Sequence, residues 1–332
     1  MLRKIKLRKT SLAAECSTGG HDTTGGVMGK EMTAKGTMTK GASRWHQALF
    51  ALLLLPLLAH AEPGFWHASK GDKHFWIMGS IHVGKEEFYP LPAAIEQAWQ
   101  KADVLVMEAD MRNSTPNEEA AVGSMSRLPA GTSLKQQLPP ELYRRTVTQA
   151  KKYGLPEQAL ANLRPWVVAI TLTQQAIASA GYQADLGVDE HFAAQAMRTG
   201  MPVRGLERVP EQLAYIANMG APLEQDFLDA TIKQIDTMND EIPRLMNAWF
   251  NGDGTTLSNI LRDEQGSAAL QEYMERRLIK ERNHNWLPKL RVMPEKNRFV
   301  VVGALHLYGP DGLLALLRQQ GYQVEVVTKA HE

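Results

Sequence analysis

The two ends of the chain share one sequence pattern, and this pattern restricts the fold more than any other feature. Near the start an apolar run leads through Gly79 to His82 (IMGSIH), and near the end another leads through Gly303 to His306 (VVVGALH). A helical stretch and then a further strand-like run follow each Gly-x-x-His. Strands that alternate with helices are typical of parallel sheets. The pattern predicts an α/β fold whose central, mostly parallel sheet comes from two βαβ-like halves.

Further periodic runs predict the other elements. The turn-like cluster Lys70-Gly71-Asp72 separates two aromatic-rich runs, so we expect a β-hairpin over residues 64–81. Between the two halves the apolar spacing is mainly helical, which predicts a largely helical insertion. The expected strands are residues 74–79, 103–110, 202–207, 298–305 and 322–327, and the expected helices include residues 93–102, 141–154, 211–219, 224–249, 257–286 and 311–320.

The N-terminal part of the chain is typical of a processing signal. Residues 44–61 begin with Arg44, continue through an apolar run of about 11 residues and end in Ala-His-Ala, which predicts a signal peptide cleaved after Ala61. The run is shorter than the roughly 20 residues that cross a bilayer, so no membrane anchor is expected after cleavage. We therefore expect an exported protein, either periplasmic or secreted. Residues 1–43 are interpreted as a disordered leader or as the result of a misassigned start, with Met38 as the alternative start.

Cysteine content and charge exclude several kinds of site. The single cysteine, Cys16, lies in the predicted leader, so residues 62–332 have no disulfide, thiolate nucleophile or cysteine-ligated zinc. The small positive net charge of the whole chain belongs to the leader and signal, and residues 62–332 are mildly acidic. No nucleic-acid partner is therefore expected. Residues 62–332 are long enough for an ordinary hydrophobic core, and we expect them to form a single domain.

The two histidines and a carboxylate suggest a metal site. Ligands of parallel α/β sheets bind beyond the carboxyl ends of the strands, where His82 and His306 are expected. Glu108 comes at the exit of the apolar run VLVMEAD, and Asp110 alternates onto the same face. Imidazoles with one or two carboxylates suit Mn²⁺, Zn²⁺, Co²⁺ or Fe²⁺, and such an ion makes a bound water acidic enough for hydrolysis. Either histidine taken alone is more typical of a surface or core position, and the pair is what favours a site; Glu108 also fits a helix cap or a partner for lysine.

Six segments carry a resemblance to a known family. They are GSIHVG with YPLP after it (79–84 and 89–92), ADVLVMEAD (102–110), GVDEHF (187–192), RGLE with EQL (204–207 and 211–213), ERNHNW (281–286) and GALHLYGPDGLL (303–314). Together they resemble the TraB/GumN family, relatives of the Tiki ectodomains and more distantly of erythromycin-esterase-like folds. The resemblance implies a metal of the Mn or Co kind held by His82, Glu108 and His306, with Arg282 as a further polar member.

Four more residues are candidates for the same site. Arg282 and Asn283 lie in the charged stretch IKERNHNW, which fits a solvated helix face unless its side chains point into the crevice. In the crevice, Arg282 would stabilise an oxyanion or a substrate carboxylate as a catalytic residue. Asn283, Asp189 and Glu207 are interpreted as substrate-binding residues, although a helix N-cap at Asp189 and a buried ion pair at Glu207 fit equally well.

Two functions are compatible with this site. The first is a metal-dependent, peptidase-like hydrolase of the cell envelope that uses a metal-bound water against a peptide or another amide or ester bond. In this hydrolase Glu108 is a metal ligand or, alternatively, the catalytic general base. The second is a non-enzymatic envelope module that binds a peptide, a glycan or a haem-like ligand. The chain contains no glycine-rich phosphate loop, no G-x-S-x-G and no H-E-x-x-H, which argues against nucleotide-binding, serine-hydrolase and zincin functions. Metal dependence separates the two functions, and Mn, Co and Zn are all candidates.

Overall fold

A computed structural model describes residues 64–262 and 266–327 of the chain. These residues belong to the second of two units into which the chain divides, Ala61–Glu332. The predicted leader, the signal peptide and the Met38 start lie outside the described residues. None of the helices in the described ranges combines the length and the apolar character that a membrane span requires.

One six-stranded sheet organises the molecule. Its strand order is β4-β3-β5-β2-β1-β6. Strands β4, β3, β5 and β2 are parallel, whereas β1 runs antiparallel to both of its neighbours, β2 and β6. The strands are β1 (Phe65–Lys70), β2 (Lys73–Ser80), β3 (Val104–Ala109), β4 (Val203–Glu207), β5 (Asn297–Gly303) and β6 (Gln323–Val326).

Helices cover both faces of the sheet and also form the insertion. They are α1 (Ala93–Gln100), α2 (Pro116–Met125), α3 (Leu134–Gln137), α4 (Pro140–Lys152), α5 (Glu157–Leu160), α6 (Pro165–Ser179), α7 (Val188–Thr199), α8 (Val209–Ala217), α9 (Ala221–Ile235), α10 (Met238–Phe250), α11 (Gly254–Arg262), α12 (Ala268–Tyr273), α13 (Glu281–Val292) and α14 (Leu313–Gln319). A π-helical segment, Met274–Lys280, joins α12 to α13.

Alternation along the buried strands divides the core into two layers. In β5, Phe299 and Val301 pack with side chains of α1, α7 and α10, while Val300 and Val302 pack with side chains of α13 and α14. Strand β3 is buried along its whole length, as expected for a central strand covered on both faces. A separate apolar cluster joins α4, α6 and α9 within the insertion. The central strands are therefore held in place by an apolar layer on each face of the sheet.

The predicted α/β class, the mostly parallel sheet and the helical insertion are confirmed. The structure adds that β5 lies between β2 and β3, so the β2-α1-β3 crossover steps over one strand. Two predicted helices are divided: the one over residues 224–249 breaks between α9 and α10, and the one over residues 257–286 contains the π-helical segment. Apolar spacing continues through such breaks, which is why the sequence does not reveal them.

Candidate functional site

The two Gly-x-x-His segments lie at the carboxyl ends of adjacent parallel strands. Strand β2 pairs with β5 so that Ser80 is opposite Gly303, and β5 pairs on its other side with β3. His306 ends a short 3-10 turn, Ala304–His306, that follows β5 directly. Glu108 is near the end of β3. The topology therefore brings Glu108 and His306 together at one edge of the sheet, with the His82 loop beside them.

Glu108 is buried, and its two oxygens have different surroundings. Oε2 accepts hydrogen bonds from Arg282 Nη2 at 2.6 Å and from Gln212 Nε2 at 2.7 Å. Oε1 accepts the backbone N–H of Gly303 at 2.7 Å and lies 3.7 Å from His306 Nε2. Burial opposes ionisation, but Arg282, the protonated imidazole of His82 and the Gly303 N–H outweigh it and lower the pKa of Glu108. Glu108 is thus an anchored carboxylate whose Oε1 faces His306.

Asn283 fixes the protonation pattern of His306. Its Nδ2 donates to the backbone oxygens of His306 at 3.0 Å and Asp311 at 2.8 Å, so its Oδ1 is left to accept from His306 Nδ1 at 2.7 Å. Nδ1 therefore carries the proton and Nε2 carries the lone pair, as in a metal-binding histidine. Burial and the charge of Arg282 lower the pKa of His306, which keeps the imidazole neutral.

Arg282 joins the two buried carboxylates. Besides Glu108, its guanidinium donates from Nε to Glu207 Oε1 at 2.9 Å and also contacts Glu207 through Nη2. Nη1 reaches His306 Nε2 at 3.1 Å and the backbone oxygen of Leu278 at 3.3 Å. Trp286 Nε1 donates to Glu207 Oε2 at 3.1 Å. The charged stretch of α13 therefore faces inward at Arg282 and is not a solvated surface there.

This buried cluster has an excess of negative charge when both carboxylates are ionised. Glu108 and Glu207 share Arg282 as their only cationic partner among the described ion pairs, and His306 is neutral. Burial and the nearby charge of Glu108 raise the pKa of Glu207 against the opposing effects of Arg282 and Trp286. The two carboxylates therefore favour a further cation in this cluster.

His82 is oriented by a carboxylate from α7. Its side chain is 68% exposed, and Nδ1 lies 3.2 Å from Asp189 Oδ2. The charge of Asp189 and this hydrogen bond raise the pKa of His82. Within the described ranges, the buried Oδ1 of Asp189 has no hydrogen-bond partner. Asp189 is the second residue of α7, whose N-cap is Gly187, so it does not fill the predicted N-cap position.

The donor atoms fit a divalent metal, with one competing group. His306 Nε2 and Glu108 Oε1 face each other. The pKa of His82 is raised to about 9, so its imidazole is protonated at neutral pH and its Nε2 becomes the second imidazole donor only after it loses a proton. Across the described ranges, no set of three or more His, Cys, Asp or Glu side chains is already arranged around a common metal position. Instead, Nη1 of Arg282 holds the His306 lone pair.

The remaining candidates form internal contacts in the structure. Asp110 binds the backbone of Arg112 and Asn113 in a local turn and does not join the cluster. Asn283 and Glu207 have internal partners for their polar groups, so the structure shows positioning contacts for both. Gln212 was not predicted, although it lies in the EQL segment, because a glutamine in an amphipathic helix has no distinctive signal.

Gly303 allows Glu108 to approach the strand end, which gives a stability prediction. A Cβ at this position would lie 3.2 Å from Glu108 Oε1. Gly303→Ala is expected to lower the free energy of unfolding by about 1–3 kcal/mol, as overpacking does. Gly123→Ala is the control, because its new methyl group fills open space in α2. This substitution is expected to raise the free energy of unfolding by about 0.5–1 kcal/mol. Urea denaturation measures both, and equal effects would contradict the tight contact at Gly303.

Comparisons with known proteins match the chain to one family. The sequence model of the TraB/PrgY/gumN family matches residues 64–326. The uncharacterized protein YbaP of Escherichia coli (strain K12) is 29% identical over 252 residues, 75% of this chain and 89% of that protein. Metalloprotease TIKI1 of Danio rerio is 25% identical, with 77% of this chain and 61% of that protein covered, and the Homo sapiens TIKI1 is 24% identical, with 77% and 60% covered. No solved structure matches.

Proposed function

Because the chain belongs to the TraB/PrgY/gumN family, we propose that it is a metal-dependent hydrolase acting on a peptide or another amide or ester bond. The observation that carries the proposal is the pair formed by the neutral His306, with its lone pair on Nε2, and the anchored carboxylate of Glu108. Relatives named metalloproteases support it, although this chain spans only about three fifths of their length. The signal-like residues 44–61 further lead us to propose that it acts in the periplasm or after secretion.

We assign His82, Glu108 and His306 to the metal, with Mn, Co and Zn as candidate ions. When bound there, a divalent ion supplies Lewis acidity and lowers the pKa of water. Glu108 Oε1 is the oxygen placed to bind the ion or to accept a proton, because Arg282 and Gln212 occupy Oε2. Asn283 orients the imidazole of His306, and Asp189 orients that of His82. Each contact is made at Nδ1 of the histidine.

Arg282 supplies a group for the substrate itself. The guanidinium is permanently charged and lies in a buried position, where it stabilises negative charge that develops on a carbonyl oxygen. Peptides, other amides and esters all present such a carbonyl oxygen, and we propose that Arg282 acts on this oxygen in the substrate.

Metal loading tests the proposed function. Protein stripped with a chelator and reloaded separately with Mn²⁺, Co²⁺ or Zn²⁺ is expected to bind about one ion per chain and to cleave members of a peptide library only when loaded. Elemental analysis and mass spectrometry of the library give the two readouts. His306→Ala is expected to lose both metal and cleavage. Absence of bound metal under every loading condition would contradict the proposal, and chelator-insensitive ligand binding would favour a non-enzymatic binding module.

A further inference from the structure

The contact between Arg282 and His306 lies where a metal would bind. Nη1 of Arg282 is 3.1 Å from the Nε2 lone pair of His306, and that Nε2 is 3.7 Å from Glu108 Oε1. Two ligands that each lie about 2.1 Å from one ion are separated by roughly 3–3.5 Å. The His306–Glu108 separation is close to this value. The guanidinium nitrogen and an ion would therefore compete for the same lone pair.

We propose that Arg282 is a displaceable counter-ion, which covers His306 Nε2 in the metal-free protein and gives up this contact when a metal binds. The inference rests on the proposed function, since it concerns the same metal. It assigns Arg282 a second role: besides acting on substrate, it sets the affinity of the site for the ion.

The contacts of Arg282 make such a displacement possible without unpairing the side chain. Nη1 also donates to the backbone oxygen of Leu278 at 3.3 Å, so this nitrogen keeps one acceptor after it leaves His306. Nε remains bound to Glu207 at 2.9 Å, and the guanidinium lies 4.6 Å from the Trp286 ring centre and 5.9 Å from that of Tyr215. The acceptor at Leu278 belongs to the π-helical segment Met274–Lys280. A small shift toward this segment frees the lone pair.

Charge makes the competition measurable. In the metal-free protein Arg282 partly neutralises two buried carboxylates, Glu108 and Glu207. Once a divalent ion is bound to Glu108, the same guanidinium is a cation near another cation in a poorly screened environment. Arg282 therefore stabilises the metal-free form and weakens metal binding. Removal of its charge should reverse both effects.

Gln212 provides a matched control for the test. Gln212→Met and Arg282→Gln each remove a donor from Glu108 Oε2, but only the second removes a positive charge and the contact with His306. Calorimetric titration of full-length, metal-free protein with Mn²⁺ gives the dissociation constant for each form. We expect Arg282→Gln to bind Mn²⁺ at least about tenfold more tightly than the unmodified protein. We expect Gln212→Met to bind equally well or more weakly.

Each outcome decides one of the two proposals. Binding by Arg282→Gln that equals or falls below that of the unmodified protein overturns the counter-ion role and leaves the metal site intact. No binding of Mn²⁺, Co²⁺ or Zn²⁺ by any form overturns the proposed function as well. If metal-free Arg282→Gln does not fold, Arg282→Lys replaces it, because a lysine ammonium cannot contact His306 and both carboxylates together. That variant is expected to bind Mn²⁺ at least about threefold more tightly, and unchanged or weaker binding contradicts the inference.

Discussion

Arg282→Met is expected to lower the free energy of unfolding of the metal-free protein at neutral pH by about 3–5 kcal/mol, as removal of one partner from a buried ion pair does. Arg282 is the shared partner of Glu108 and Glu207, and the three side chains are at most 10% exposed. Without it, two like charges stay buried near each other. Chemical denaturation followed by circular dichroism measures the loss.

The effect of Arg282→Met should depend on pH in a defined direction. Without the guanidinium, burial raises the folded-state pKa of Glu108 and Glu207 above the unfolded value of about 4.3. A carboxyl group whose pKa is raised by folding contributes its full stability below the unfolded-state pKa. This contribution is lost as the pH rises through the folded-state pKa. The deficit should therefore shrink toward pH 4 and be largest near pH 7.

Arg204→Met is the control for this substitution. Arg204 pairs with Glu295 while its side chain is 48% exposed, so its loss should cost less than about 1 kcal/mol. Equal losses for Arg204→Met and Arg282→Met would show that the buried cluster does not depend on Arg282.

Glu108→Gln is expected to reduce kcat/KM for hydrolysis by about 10²–10⁴-fold, the usual contribution of a group that transfers a proton. The substitution keeps the shape of the side chain but removes the charge from Oε1, the oxygen that faces His306. Loss of a metal ligand would add to this effect. The measurement is the initial rate on a peptide identified with the metal-loaded protein.

Glu224→Gln is a matched control for Glu108→Gln. Glu224 is also buried and paired with an arginine, Arg164, but it belongs to the helical insertion. We expect Glu224→Gln to destabilise the fold while kcat/KM stays within about twofold. If both substitutions reduce hydrolysis to the same extent, Glu108 has no special part in the reaction.

Much of the fold could be predicted from local patterns. The hairpin was predictable because Gly71, with φ of +60°, lies in a turn between two aromatic-rich runs. Strands β3 and β5 were visible as uninterrupted apolar runs. The position of β5 between β2 and β3 was not predictable, because pairing between segments so far apart in sequence leaves no local signal. That position is nevertheless what places Gly303 beside Glu108.

The site was only partly predictable for a similar reason. His82 and His306 follow strands and Glu108 lies near the end of one, so a general rule for parallel sheets identified them; their assignment to a metal stays a prediction. The inward orientation of both Arg282 and Asn283 could not be deduced, since consecutive helical residues usually point in different directions. The π-helical segment before them was also not predicted. Gln212 could not be identified from the sequence, because its role depends on its contact with Glu108, which only the fold creates.

The order of strands in the sheet affects how the protein folds. Strand β5 is inserted between β2 and β3, and β6 pairs with β1, so the last two described strands pair with the first three. Contacts between distant segments require closure of long loops, and proteins dominated by such contacts fold slowly. During synthesis the carboxyl ends of β2 and β3 cannot be bridged until β5 has emerged. A nascent chain that stops before β5 therefore has neither a continuous sheet nor His306, and it exposes unpaired edges that favour aggregation.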